Sequence, residues 1–269
     1  MKTILLNFSL ACLFVLNGCN QQNDRDYENS VSDIQKRKLT DTDKAIIGNL
    51  GGLPVRLPQY VELVQYDDSP DFDQDKLHES FPHRTFNSKL MDFGYYYNHE
   101  TNEPKNRNNI EKYQNDKDKA GNPWVYVGVQ SGKMYLKRET AWDDSFSNEL
   151  EKGVYLYQPY TKLPEKQYNL DVYAQLGTNP KDNKPWRAHH DAQDFFVYRD
   201  KHGHVRSKIR CSNNITVPNP PCKHRFIMTN DMKVIVNLLY NRQQLRHWKK
   251  MEQQVETQLR SFVVKLEHS

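Results

Sequence analysis

The residues of this chain best suited to chemistry lie in His189-His190-Asp191-x-x-Asp194, two imidazoles and two carboxylates in a short span. Both groups are zinc ligands, and imidazole is the side chain most readily poised to carry protons near neutral pH. A metal-dependent enzyme or a metal-binding protein would use them together. Two features weigh against that use. Neighbouring residues on a strand point to opposite faces, and no His-Glu-x-x-His companion accompanies the quartet. The simpler reading is a polar loop carrying surface histidines.

Other patterns fall short for stated reasons. His247-Trp248-Lys249 has the start of a phospholipase D motif, but Gln254 stands where the acidic residue is needed, and no second copy completes the pair. The run Asp67-Asp68-Ser69-Pro70-Asp71-Phe72-Asp73 offers carboxylates to calcium without the glycine and glutamate positions of an EF-hand loop. The glycines at 48, 51 and 52 do not form a dinucleotide or phosphate loop, and no Gly-x-Ser-x-Gly is present. The chain is therefore expected not to be an enzyme and to need no cofactor or metal.

A different kind of chemistry is expected at Cys19. Lys2 is followed by an apolar run, Ile4 to Leu16, of signal-peptide length and too short for a membrane span. Leu16-Asn17-Gly18-Cys19 then resembles a bacterial lipobox, in which a small residue permits cleavage before a diacylated cysteine. Residues 1–18 are read as a lipoprotein signal peptide and Cys19 as the lipidated mature N-terminus. Residues 19–45 are polar and aperiodic, a flexible tether. Asn20 rather than Asp points, by analogy with enterobacterial sorting, to the outer membrane. The expected address is the periplasm, with the lipid as the contact to the membrane.

Composition agrees with a folded exported domain. Mean hydropathy is −0.93, yet 16 Tyr, 11 Phe and 4 Trp supply large buried areas. The 38 basic and 34 acidic residues are interspersed, which argues against nucleic acid as a partner. Beyond Cys12 and Cys19 only Cys211 and Cys222 remain, flanking a Pro/Asn-rich segment. In an oxidising compartment they are most simply a disulfide.

These residues need elements to position them. A turn followed by a strand is expected over Ile46 to Pro58. Further strands are expected over Tyr60–Tyr66, 84–97, Trp124–Val129, Val154–Tyr157 and Leu170–Ala174. Phe195–Arg199 and Val205–Arg210 form a hairpin pattern with Gly203 in the turn. Arg225–Met228 and Met232–Tyr240 continue the sheet. Residues 98–122, rich in Asn, Lys and Asp, read as a long exposed insertion. Leu245, Trp248, Met251, Val255, Leu259 and Phe262 then recur at helical spacing, an amphipathic helix whose stripe packs on the sheet. Runs of strands with a terminal helix give an α+β class, mainly antiparallel, over residues 46–269 as one domain or as two lobes, about 46–150 and 151–269.

Taken as a set, certain segments resemble the periplasmic immunity proteins of type VI secretion lipase effectors, specifically those paired with phospholipase D-type toxins. They are Ile47-Gly48-Asn49-Leu50-Gly51-Gly52-Leu53-Pro54-Val55, Tyr66-Asp67-Asp68-Ser69-Pro70, Arg84 to Leu90 and Phe93-Gly94. Further along come Cys211-Ser212-Asn213, Pro218 to Cys222, Phe226, Tyr240, Leu245 and Trp248. The resemblance spans most of 46–264 and excludes 98–122. It implies an inhibitor that binds a cognate phospholipase effector, with no indication of which residues touch it.

Overall fold

The computed structural model describes residues 46–68, 83–135, 141–153, 158–214, 216–228 and 231–266. The signal peptide, Cys19, the tether, the expected strand at Val154–Tyr157 and most of the acidic run after Asp68 lie outside the described residues. In chain order the strands are β1 Ile46–Leu50, β2 Leu53–Leu57, β3 Glu62–Tyr66, β4 Leu90–Asn98, β5 Glu103–Pro104 and β6 Trp124–Gln130. They continue with β7 Thr161–Lys162, β8 Asp171–Ala174, β9 Gln193–Arg199, β10 Val205–Ser212, β11 Pro221–Ile227 and β12 Ile235–Asn241. The helices are α1 Ile110–Asp116, α2 Ala141–Lys152 and α3 Trp248–Ser261. Ala45–Ser269 form one compact unit.

The class is α+β. Ten strands build one antiparallel sheet in the order β3-β4-β6-β12-β11-β10-β9-β8-β7, with β5 paired to β4. β6 pairs with both β4 and β12, so the sheet runs continuously across residue 150. β1 and β2 form a separate hairpin rather than a turn and a single strand. The reason is Gly51-Gly52, whose φ values of +60° and +107° suit a two-residue hairpin turn that side-chain-bearing residues resist. A Cβ on Gly51 would also lie 2.6 Å from the backbone nitrogen of Lys233. The hairpin is thereby pressed against the chain entering β12.

Alternation sorts the sheet into two faces. On the first, Phe93, Tyr95 and Tyr97 of β4, Val125, Val127 and Val129 of β6, and Val236, Leu238 and Tyr240 of β12 are buried in the main core. α3 lies over this face. Its Trp248, Met251, Val255 and Leu259, with Leu245 before it and Phe262 after it, all enter that core. Full burial of each such side chain stabilises by roughly 1.5–3 kcal/mol. The expected helical stripe is therefore the packing face, although its first turn, Arg242–His247, is a 3₁₀ helix. Among the described residues no helix is long and apolar enough to cross a membrane.

The second face is covered differently. Trp142 and Phe146 of α2 pack with Tyr173, Phe195, Val197, Val205 and Ile235 into a smaller cluster. Val205 joins this side, out of step with Ser207 and Ile209, because the β9–β10 register shifts between Val205 and Ser207. The segment 98–122 is also more ordered than an exposed insertion would be. Asn98 and His99 are buried, and Tyr113 of α1 packs its ring 5.2 Å from Tyr96 and 5.4 Å from Trp124.

Candidate binding face

The His/Asp quartet is divided by the fold. His189, His190 and Asp191 follow a 3₁₀ turn, Trp186–Ala188, outside any strand. The two rings therefore do not point apart; their centroids are 4.2 Å from each other. His190 Nε2 is 3.1 Å and His189 Nδ1 3.9 Å from Asp191 Oδ2, and the Asp191 amide donates to His189 Nδ1. One ligand atom from each lies within 4.8 Å of the others, at an exposed edge. Asp194 is elsewhere: it sits on β9, fully buried, and belongs to an ion-pair network. A four-ligand site using all of them is thus corrected to an exposed trio plus a structural carboxylate. The strand alternation of β9 turns Asp194 inward beside Arg242.

The other patterns are also absorbed by packing. His247 stacks 5.2 Å from His99, the Trp248 indole donates to the carbonyl of Tyr168, and Lys249 pairs with Glu252. Of the acidic run, Asp67 accepts from the Lys133 amide and Asp68 pairs with Arg84. Cys211 and Cys222 are bonded, directly opposite each other on β10 and β11 and wholly buried. Changing both to serine is expected to lower the unfolding free energy by about 3 kcal/mol through loop-closure entropy. The check is the urea midpoint under oxidising conditions; an unchanged midpoint would remove any stabilising role for the bond.

Sequence reasoning missed a polar centre inside the main core. Glu252 of α3 accepts from Ser207 Oγ and lies 3.0 Å from His224 Nε2, while Tyr240 Oη lies 3.3 Å from His224 Nδ1. Burial pushes the Glu252 carboxyl up, but His224, Ser207 and Lys249 outweigh it and hold it below its ordinary value. The serine hydroxyl donates to the carboxylate and not to the imidazole. No nucleophile–base pair results, and the cluster is a structural anchor. Its only sequence signal was a glutamate one step from Met251 in the apolar stripe.

The second face of the sheet was not singled out from sequence. Cross-strand pairing lines up Tyr96, Tyr126, Leu239, Lys223, Arg210 and Phe195 in one row. The neighbouring row runs Gly94, Gly128, Asn237, Arg225, Lys208 and Val197. The missing side chain at Gly94 is filled by Tyr126, whose hydroxyl lies 2.3 Å from where a Cβ would be. α2 covers the Phe195 end. Towards the other end Leu239 is 43% exposed.

Between them is a cleft of about 160 Å³ lined by Glu149, Phe195, Lys208, Arg210, Lys223 and Arg225. Lys208 is buried and pairs with Glu149 at 2.7 Å. The Arg225 guanidinium lies 5.5 Å from the Trp142 ring, and its buried Nε meets no hydrogen-bond acceptor among the described residues. Burial pushes Lys208, Lys223 and Arg225 below their ordinary values, and neighbouring cations of the same cluster add to this at each. Chemically, the cleft gathers four basic side chains about Glu149, beside an aromatic strip.

No family model and no curated protein matches the chain. A solved structure described as an immunity protein of the Stenotrophomonas maltophilia type IV secretion system is similar, with a TM-score of 0.46 and 16% identity. The match covers 83% of this chain and 94% of that one. A likeness at that level bears on neither family nor activity.

Proposed function

We propose that the chain is a lipid-anchored periplasmic immunity protein that binds and neutralises a phospholipase D-type effector of type VI secretion. The observation that carries this reading is that the scattered segments behind the sequence resemblance meet in contact. The Tyr66 hydroxyl donates to the carbonyl of Ile47, and the Asn49 and Asp67 amides donate to the carbonyls of Ser88 and Lys89. The Arg84 guanidinium lies 3.9 Å from the Tyr66 ring centroid. In the second set, Cys211 is bonded to Cys222, Cys222 lies opposite Tyr240 across the strands, and both pack in one core with Phe226, Leu245 and Trp248. Residues that hold one another in place are what a shared framework needs. Binding, rather than catalysis, is the role such a framework would serve here.

Anchoring through Cys19 would raise the inhibitor's concentration where a membrane-directed toxin arrives, with no new contact. The reading expects a lipase gene beside this one, and the test is periplasmic export of its product, with and without this protein. Protection from lysis is expected only in its presence; equal lysis in both cultures would end the proposal. Cys19→Ala is expected to move the protein from the membrane to the soluble periplasmic fraction and to reduce protection while leaving effector binding intact. Membrane retention of that variant would remove the lipid anchor from the account.

A further inference from the structure

We propose that His189, His190 and Asp191 form a binding site for a divalent transition-metal ion of the zinc and copper class. The site belongs to the loop that leads into β9 and is independent of the effector-binding role proposed above.

Donor type and geometry carry the inference together. One ligand atom from each residue lies within 4.8 Å of the other two. His190 Nε2 is 3.1 Å and His189 Nδ1 3.9 Å from the same carboxylate oxygen, Asp191 Oδ2. Ligand atoms about 2.1 Å from a tetrahedral zinc lie about 3.4 Å from one another, so these two separations bracket what the ion requires. His190 and Asp191 are exposed and His189 is half-buried, which leaves the side chains room for the small rotations that remain. Two imidazoles with one carboxylate are donors for zinc, copper or nickel, whereas calcium and magnesium take oxygen ligands.

Little has to be given up for the ion to bind. Among the described residues Asp191 pairs with the two imidazoles and with no lysine or arginine. A metal at His189 Nδ1 would replace one hydrogen bond, that from the Asp191 amide at 3.2 Å. That bond is at the surface, where water can take over the amide.

Three consecutive residues offer their ligands in an unfolded chain as well; what the fold adds is position. The His189 amide donates to the Trp186 carbonyl, the Ala192 amide to the His189 carbonyl and the Asn213 amide to the Ala192 carbonyl. Arg187, within the preceding turn, is held by two bonds to the buried Asp194. The backbone bearing the ligands is therefore fixed on both sides. It brings together rings that successive positions on a strand would send to opposite faces. Both imidazoles also line a hollow of about 290 Å³, whose wall includes Asp182 and Lys184, of opposite charge. Three protein ligands leave zinc a fourth position, and the hollow gives a water molecule room to fill it.

The experiment uses the full mature chain without an added histidine tag, and zinc chloride as the probe. Competition against a chromogenic chelator is expected to show one zinc per chain. At that stoichiometry the ring nitrogens of His189 and His190 should shift in NMR spectra, and magnesium or calcium should not move them. H189A, H190A and D191A are each expected to weaken zinc by more than about 10-fold, the least that losing even an outer-shell partner costs. H202A, which removes an exposed imidazole from the β9–β10 turn, should leave the affinity unchanged. Melting curves without metal check that each variant folds. Added zinc should raise the melting temperature of the wild type and not of H190A, because a ligand stabilises only by preferring the folded chain.

Absence of stoichiometric zinc would overturn the proposal. So would an affinity that D191A leaves intact, since two surface histidines would then be binding adventitiously. Zinc that binds without raising the melting temperature would show that the folded loop adds nothing to the bare sequence, and would overturn it likewise. An equal response to calcium would overturn the transition-metal assignment.

Discussion

Replacing Asp194 with alanine is expected to lower the unfolding free energy by about 3–5 kcal/mol, the usual cost of removing one partner from a buried ion pair. Asp194 is wholly buried. Its Oδ1 accepts from Arg187 Nε at 3.1 Å and Asn213 Nδ2 at 2.9 Å; its Oδ2 accepts from Arg187 Nη2 and Arg242 Nη2, each at 2.8 Å. Arg242 in turn bonds the carbonyl of Ser212 and the side chain of Asn213. One carboxylate therefore ties the end of β10 to the turn that launches α3. Because the Arg187 side chain is 44% exposed, water can recover part of its loss, which places the expected cost toward the lower end of that range.

The same carboxylate predicts a pH dependence. Burial alone would raise its pKa, but the bonds from Arg187, Arg242 and Asn213 outweigh burial and lower it. A depressed folded-state pKa means stabilisation that is fully present above the unfolded value, about 3.9, and lost as pH falls through the folded value. Urea melts of wild type and D194A should thus differ most near neutrality and converge in acid. A gap that is absent at neutral pH, or that widens with acid, would show that the network does not hold the fold.

How far the sequence could be read is clearest at particular residues. Trp124–Val129 is a run of β-branched and aromatic residues, which marks a strand, and its three valines are buried in the strand that is found there. The hairpin about Gly203 and the stripe ending in Phe262 are legible for the same reason, since local pattern and final burial agree. α2 escaped because Ala141–Lys152 is short and polar: its buried residues are Trp142 and Phe146, one turn apart. α1 escaped because its one anchoring ring, Tyr113, packs on partners 17 and 11 positions away in sequence, Tyr96 and Trp124.

The candidate face was illegible for a different reason. Lys208, Arg210, Lys223 and Arg225 are ordinary solvent-side residues on two separate strands when each is read alone. Only the β10–β11 register, which the buried Cys211–Cys222 pair shares, places cation opposite cation. The His/Asp quartet erred the other way. Nearness in sequence suggested a common site, and the β9 pleat separated its most buried member. Sequence thus shows periodic burial well, and cross-strand register poorly, while sites made by register are those most relevant to binding.

Changing Glu252 to alanine is expected to cost about 3–5 kcal/mol as well, and to act on a different part of the fold. The apolar stripe of α3 would tolerate small rotations against a smooth sheet, because dispersion contacts are non-directional. Glu252 removes that freedom by bonding Ser207 on β10 and His224 on β11 at once. An ionised Glu252 calls for a proton on His224 Nε2; burial, then the Glu252 charge, push the Tyr240 pKa well up. Alanine would leave the serine and imidazole donors unsatisfied inside the core. Glutamine can still accept both bonds, and E252Q is expected to cost only about 1–2 kcal/mol. Its stability should also fall less steeply in acid, since the depressed Glu252 pKa contributes stability that is lost as pH drops through it. The decisive measurement is a double-mutant cycle of E252A with H224L in urea. If the two groups act as one anchor, replacing both by apolar side chains should recover stability relative to E252A alone, with a coupling of about 1–3 kcal/mol. Simple additivity of the two losses would mean that α3 is held by its apolar stripe and that the buried polar centre contributes no registration of its own.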